Sequence, residues 1–165
     1  MPENLVAAVD IGGTKIAVGI VSRAGRILAQ AACPTAPEQG FDPAMRRTVE
    51  LLRGCAQQAG AQPEAVGIGC TGPVDPLTGE LGEVNLLPGW QGRNLSAALS
   101  AGLGLPAAVE NDADAAALAE AAFGSGRGSR SFLLVAVGTG IGVGAGLDGR
   151  LYRGTGRAQP ELGHM

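Results

Sequence analysis

The sequence predicts a mixed α/β fold, and three observations carry that prediction. Three short apolar runs joined by tight turns open the chain. A long amphipathic helix pattern follows them. Short buried strands then alternate with further helix patterns.

The first run, 5–9, ends in Asp10-Ile11-Gly12-Gly13-Thr14-Lys15. A second run, 16–21, follows directly, and Ala24-Gly25 marks the turn into a third, 27–32. Tight turns between successive strands imply an antiparallel meander. Over 41–60, Met45, Val49, Leu52, Ala56 and Ala59 recur at three- or four-residue steps, with Arg46, Arg47, Glu50 and Arg53 between them. That is an amphipathic helix, with Pro43 in its first turn and Gly60 at its end. Residues 65–69 read as a short buried strand leading into Cys70-Thr71-Gly72-Pro73-Val74-Asp75.

The stretch 76–92 carries Pro, Gly and polar residues and reads as a long loop. Asn94 is a suitable N-cap for a helix ending near Gly102 or Gly104. Residues 107–110 form another short strand, and Asn111-Asp112 opens an Ala-rich helix through Phe123. A Gly/Ser/Arg linker spans 124–128. Beyond it lie a buried strand at 132–137, a Gly-studded segment to Leu147 and the turn Asp148-Gly149. The order implies a mixed sheet with helices on both faces. It divides the chain into an N-terminal α/β lobe (1–123), a hinge (124–128) and the beginning of a second, incomplete lobe (129–165).

Composition excludes several function classes. The formal net charge is −3, and the basic residues form no cluster, so nucleic acid is not the expected partner. One Trp, one Tyr and three Phe leave little for base stacking. The most apolar run, 132–147, is interrupted by glycines and is shorter than the ~20 residues that span a bilayer. No charged-then-apolar leader opens the chain, so a cytoplasmic location and no membrane partner are expected. Cys33, Cys55 and Cys70 are odd in number and widely spaced, which suits reduced thiols rather than a disulfide framework.

Four places carry candidate chemistry. In 10–15, Gly12 and Gly13 let the backbone approach a ligand, Thr14 adds a hydroxyl, Lys15 a cation, and Asp10 can hold a hydrated Mg²⁺. These suit a polyphosphate, although a hairpin turn can require the same glycines. The segment lacks the GxxxxGK[ST] spacing of a Walker A loop. Gly138, Thr139 and Gly140 repeat the strand, Gly/Thr turn, strand logic. A dinucleotide reading would require a helix directly after them. Glu110-Asn111-Asp112 places carboxylates at a strand-to-helix junction, where a base for phosphoryl transfer to an alcohol would sit. Helix capping explains the same residues and is compatible with catalysis. Glu161 and His164 stand three apart, able to meet neighbouring sugar hydroxyls, although a surface turn near a frayed terminus accounts for the same residues. A zinc role for that imidazole would need further ligands, and the chain offers no plausible set.

Taken together, DIGGTK, TGPVD, Asn85 followed by Pro88-Gly89-Trp90, ENDADAAALAE, VGTGIGVG and ELGHM resemble the ordered motifs of the ROK family of bacterial sugar kinases. The resemblance runs from Val9 to Met165 and is nearest to the glucokinase branch. It implies an actin/hexokinase/Hsp70-like (ribonuclease H-like) ATPase fold, of which the chain carries the first lobe and the start of the second. It implies ATP-dependent phosphorylation of a hexose, foremost glucose, at the 6-hydroxyl. By the resemblance, Asp10, Gly12, Gly13, Thr14 and Lys15, with Gly138, Thr139 and Gly140, would hold the ATP phosphates. Asp112 would be the catalytic base. Asn111, Asp112, Glu161 and His164 would contact sugar, with Gly72 lining the same pocket. His164 would also hold a structural zinc, whose other ligands lie outside this chain, so the zinc site is incomplete here. The resemblance further implies Mg²⁺, a homodimer, and a truncated form, because family motifs that follow ELGHM are missing. Asp114 stands where many members have Asn. A sugar-binding regulator on the same fold, or a kinase for N-acetylhexosamine, mannose or fructose, is the alternative. The family's repressors carry an N-terminal helix-turn-helix, and this chain opens almost directly on a strand.

Overall fold

The computed structural model describes residues 4–137 and 141–153. They divide into two compact units, one running to Glu110 and one starting at Asn111.

In the first unit, β1 (Leu5–Ile11), β2 (Lys15–Ser22) and β3 (Ile27–Pro34) form the expected antiparallel meander. Side chains alternate along β1: Leu5, Ala7, Val9 and Ile11 are buried, whereas Val6 and Asp10 are exposed. A 3₁₀ turn at Pro37–Gln39 leads into α1 (Phe41–Ala59). Phe41, Met45, Val49, Leu52 and Ala56 form its buried stripe. Gly60, in the left-handed region at φ 65°, ends the helix by donating its N–H to the carbonyls of Ala56 and Gln57. Thr48 is buried within the stripe, and its hydroxyl donates to the Ala44 carbonyl at 2.9 Å. Burial also pushes the Cys55 thiol above its ordinary pKa, which keeps it protonated and inert.

Helix α1 is the crossover that lets β4 (Ala65–Cys70) pair in parallel with β1. The sheet order is β3-β2-β1-β4-β5, with β5 at Ala107–Asn111. Between β4 and β5 lies α2 (Leu95–Leu103). Asn94 caps it as expected, its side chain accepting from the Ala97 N–H at 2.8 Å. Gly102 brings α2 close to α1, since a Cβ there would stand 2.6 Å from Val49 Cγ2. The stretch read from sequence as a long loop is irregular but folded. Two isolated bridges, Val74↔Leu81 and Glu80↔Asn94, hold it, and Val74, Leu81, Leu87 and Trp90 are buried.

In the second unit, α3 (Asp112–Phe123) precedes an antiparallel sheet of β6 (Ser131–Val137), β7 (Ile141–Leu147) and β8 (Arg150–Tyr152). Strand β8 has no counterpart in the sequence reading. The Asp148-Gly149 turn, with both φ positive, folds it back onto β7. Sequence reasoning places helices on both faces of one mixed sheet. The structure instead packs α1 beside α2 on the first sheet and seats α3 on the second. The reason is the glycine stripe of β7. A Cβ on Gly144 would lie 2.6 Å from both the Ala113 carbonyl oxygen and Ala117 Cβ. No helix among the described residues is long and apolar enough to cross a membrane.

Two glycines should respond oppositely to alanine. Gly144→Ala meets backbone and is expected to destabilise the protein by about 1–3 kcal/mol. Gly54→Ala, in an exposed part of α1 with open space around it, is expected to stabilise it by about 0.5–1 kcal/mol. Urea unfolding of the two variants checks both signs.

Candidate functional site

In the first unit the candidate residues gather at the end of the sheet where β1 and β4 both stop. Gly12, Gly13 and Thr14 turn the chain from β1 into β2, with Ile11 paired to Ile16. The Gly12 N–H donates to the Lys15 carbonyl at 2.9 Å and closes the turn. Thr35, fully buried just after β3, holds the turn from behind. Its hydroxyl donates to the Gly12 carbonyl at 2.6 Å, and its backbone N–H donates to the Thr14 carbonyl at 3.0 Å. Asp10, Thr14 and Lys15 are exposed around this backbone. Strand β2, not a helix, follows the turn, so the Walker A geometry is absent.

The second turn stands beside the first. Ile11 lies opposite Cys70 in the parallel pair, and the Thr71 N–H donates to the Ile11 carbonyl at 2.9 Å. Gly72 follows at φ 83°, a conformation that favours glycine. Both turns are in close contact with one further segment. A Cβ on Gly13 would lie 2.7 Å from Leu86 Cβ, and a Cβ on Gly72 would lie 2.5 Å from Val84 Cγ2. The glycines at 13 and 72 therefore meet a packing requirement, whatever ligand the turns hold.

In the second unit, Asn111 ends β5 and caps α3. Its side-chain oxygen accepts from the Ala113 N–H at 2.9 Å and the Asp114 N–H at 3.3 Å. Asn111 is buried, whereas Asp112, the first residue of α3, is exposed. One carboxylate oxygen of Asp112 also accepts from the Ala113 N–H, at 2.8 Å. Amides at a helix N-terminus favour negative charge, which suits Asp112 and Asp114 in the first turn. The capping explanation of this motif is thus realised by Asn111, and it leaves the Asp112 carboxylate facing solvent.

Gly138, Thr139, Gly140, Glu161 and His164 lie outside the described residues. Strand β7 follows the first three, so the helix required by a dinucleotide site is absent. Among the described residues no three His, Cys, Asp or Glu side chains come together as a metal-holding group. Mg²⁺ in a phosphate site asks for less, because one or two carboxylates plus phosphate oxygens and water suffice. An exposed Asp10 beside the half-buried glycine turn fits that demand. Sequence reasoning missed Thr35, Val84 and Leu86. No spacing marks them, because each acts through a contact between segments far apart in the chain.

The cap can be separated from any ligand role at Asn111. Asn111→Ala is expected to cost about 1 kcal/mol of stability, and Asn111→Asp, which keeps an acceptor, within about 0.5 kcal/mol of none. Thermal unfolding of both variants without ligand reads this directly.

The ROK family model matches residues 6–165. A glucokinase of Streptomyces coelicolor is 40% identical over 114 residues, which cover 67% of this chain and 33% of that protein. An N-acetyl-D-glucosamine kinase of Shigella flexneri is 35% identical over 104 residues, covering 63% of this chain and 33% of the relative. The crystal structure of a ROK family glucokinase from Streptomyces griseus, in complex with glucose and AMPPNP, superposes with a TM-score of 0.83 at 36% identity. That superposition covers 92% of this chain and 47% of the solved one. The matched segment thus spans about a third of its curated relatives and about half of the solved neighbour. These neighbours are sugar kinases of the actin/hexokinase-like ATPase fold, and the chain, with that fold and a family match over nearly its whole length, belongs to the ROK family.

Proposed function

We propose that the chain is the N-terminal portion of a cytoplasmic, homodimeric ATP-dependent hexose kinase that acts on the 6-hydroxyl of its sugar, with glucose the first candidate. The observation that carries this reading is Asp112: an exposed carboxylate set at a strand-to-helix junction by a buried, capping Asn111. The two glycine turns at the ends of β1 and β4 support it, as does the similarity to a glucokinase solved with glucose and AMPPNP.

ATP, when bound, supplies the transferable phosphoryl group. Asp112 accepts the proton of the sugar hydroxyl as the oxygen–phosphorus bond forms and the bond to the leaving ADP oxygen breaks. Asn111 orients the sugar from beside the base, and Gly72 lines the same pocket. Gly12, Gly13 and Thr14 turn backbone and hydroxyl groups toward the phosphates. Lys15 offsets their charge, and Asp10 holds Mg²⁺ through water. Gly138, Thr139 and Gly140 also hold the phosphates. Glu161 and His164 complete the sugar contacts, and His164 would supply one ligand to a structural zinc whose other ligands lie outside this chain.

The N-acetyl-D-glucosamine kinase relative makes N-acetylglucosamine the second sugar to test. A coupled ADP-release assay on the complete gene product, with ATP and each sugar, distinguishes them through kcat/KM. Asp112→Asn is expected to lower kcat by about 10²–10⁴-fold while sugar affinity stays within a few fold. Undiminished turnover in that variant would overturn the mechanism.

A further inference from the structure

We propose that residues 84–93 act as a strap over the two glycine turns, and that Leu86 is a positioning residue for the Gly12–Gly13 turn. The proposal rests on the phosphate role given above to that turn.

The strap has a fixed end and a working end. Its fixed end is built on Trp90 and Arg93. Trp90 is completely buried and meets the Phe41 ring edge-on, with centroids 5.3 Å apart and planes at 86°. The Arg93 guanidinium lies 4.6 Å over the other partner of that pair, the Phe41 ring, and forms an ion pair with Asp42. Phe41 and Asp42 begin α1, so the strap is tied to the helix that crosses from β3 to β4. Backbone bonds from Leu87 to Val84, Trp90 to Leu87 and Arg93 to Trp90 make the segment a succession of tight turns rather than a slack loop.

At the working end Val84 meets Gly72 and Leu86 meets Gly13. Leu86 is 52% exposed, so hydrophobic burial does not explain its position. A Cβ on Gly13 would meet Leu86 Cβ first, at 2.7 Å, which excludes any side chain there. Cβ is the side-chain atom nearest the strap backbone, and its contact adds to the hydrogen bonds by which Thr35 holds the turn. Thr35 holds the Gly12 and Thr14 carbonyls, and Leu86 holds Gly13. Between them the turn has a single shape to present to a phosphate.

The fixed end also carries a built-in reporter. The Trp90 indole N–H is buried and has no hydrogen-bond partner among the described residues. The chain contains one Trp, so this N–H gives a single indole signal in a nitrogen-edited proton spectrum.

The test is NMR on the ¹⁵N-labelled 165-residue chain, first without ligand. Leu86→Gly is expected to move the Gly12, Gly13 and Thr14 amide signals and speed their exchange about tenfold, with the Trp90 indole signal in place. Leu86→Ala keeps the Cβ and is expected to leave those amides near their original positions. A role in ordinary apolar packing would instead make Leu86→Ala move those amides nearly as far as Leu86→Gly does, and would overturn the proposal. Unmoved turn amides in Leu86→Gly would overturn the proposal, as would a displaced indole signal that shows general unfolding. Magnesium tripolyphosphate is then titrated. Saturable shifts at Gly12 to Lys15 in the original chain, weakened about tenfold in Leu86→Gly, support positioning for phosphate; equal affinity in both overturns it. Absence of shifts in the original chain counts against the phosphate reading alone, and the ligand-free comparison still decides whether the strap sets the turn.

Discussion

The parallel pairing of β1 with β4 is the constraint on which the first unit depends. It makes the two strands stop together, so that Ile11 and Cys70 stand side by side and the chain leaves both at the same edge of the sheet. An antiparallel β4 would have sent Thr71 and Gly72 to the far edge. Parallel neighbours cannot be joined by a tight turn, and a helical crossover is required. Helix α1 meets that requirement, and its buried stripe supplies much of the core beneath the sheet. The strap tied to Phe41 and Asp42 then spans from this crossover back to the two turns. One pairing choice thus places the glycine turns together, the helix under them and the strap against them.

Much of this was legible in the residues because it is local. Period-two and period-3.6 patterns mark β1 to β3 and α1, and the caps at Asn94 and Asn111 lie where side chains that accept from helix amides should lie. The segment from Val74 to Asn94 was not legible as structure, because its order comes from isolated bridges and buried anchors with no period. The same holds for Thr35 and Leu86, whose contacts reach Gly12 and Gly13 from more than twenty residues away. Strand β8 is three residues long, too short for alternation to register. The candidate base was found from a motif whose local part, the cap, is the portion the geometry bears out; its role toward sugar depends on a ligand that sequence pattern and cap geometry do not contain.

The two units build cohesion in different ways. The first interlocks branched and aromatic side chains: Ile11, Ile16, Ile20, Leu52, Leu99 and Trp90 are all nearly or fully buried. In the second, α3 lies against the Gly142 and Gly144 backbone, with alanines as its contact residues. Close backbone approach replaces side-chain volume there, and Leu133, Val135 and Val137 on β6 stay exposed. Glycine weakens a strand in isolation, and the packed helix explains its use here.

The contacts at Gly13 and Gly72 also constrain how such a sequence can drift. Neither glycine can gain a side chain while Val84 and Leu86 hold their places, and the turn at Gly12 and Thr14 is itself held by Thr35. Three stretches far apart in the chain are therefore constrained together. A side chain added at Gly13 or Gly72 therefore calls for a smaller residue at Leu86 or Val84, a paired change rather than a single one.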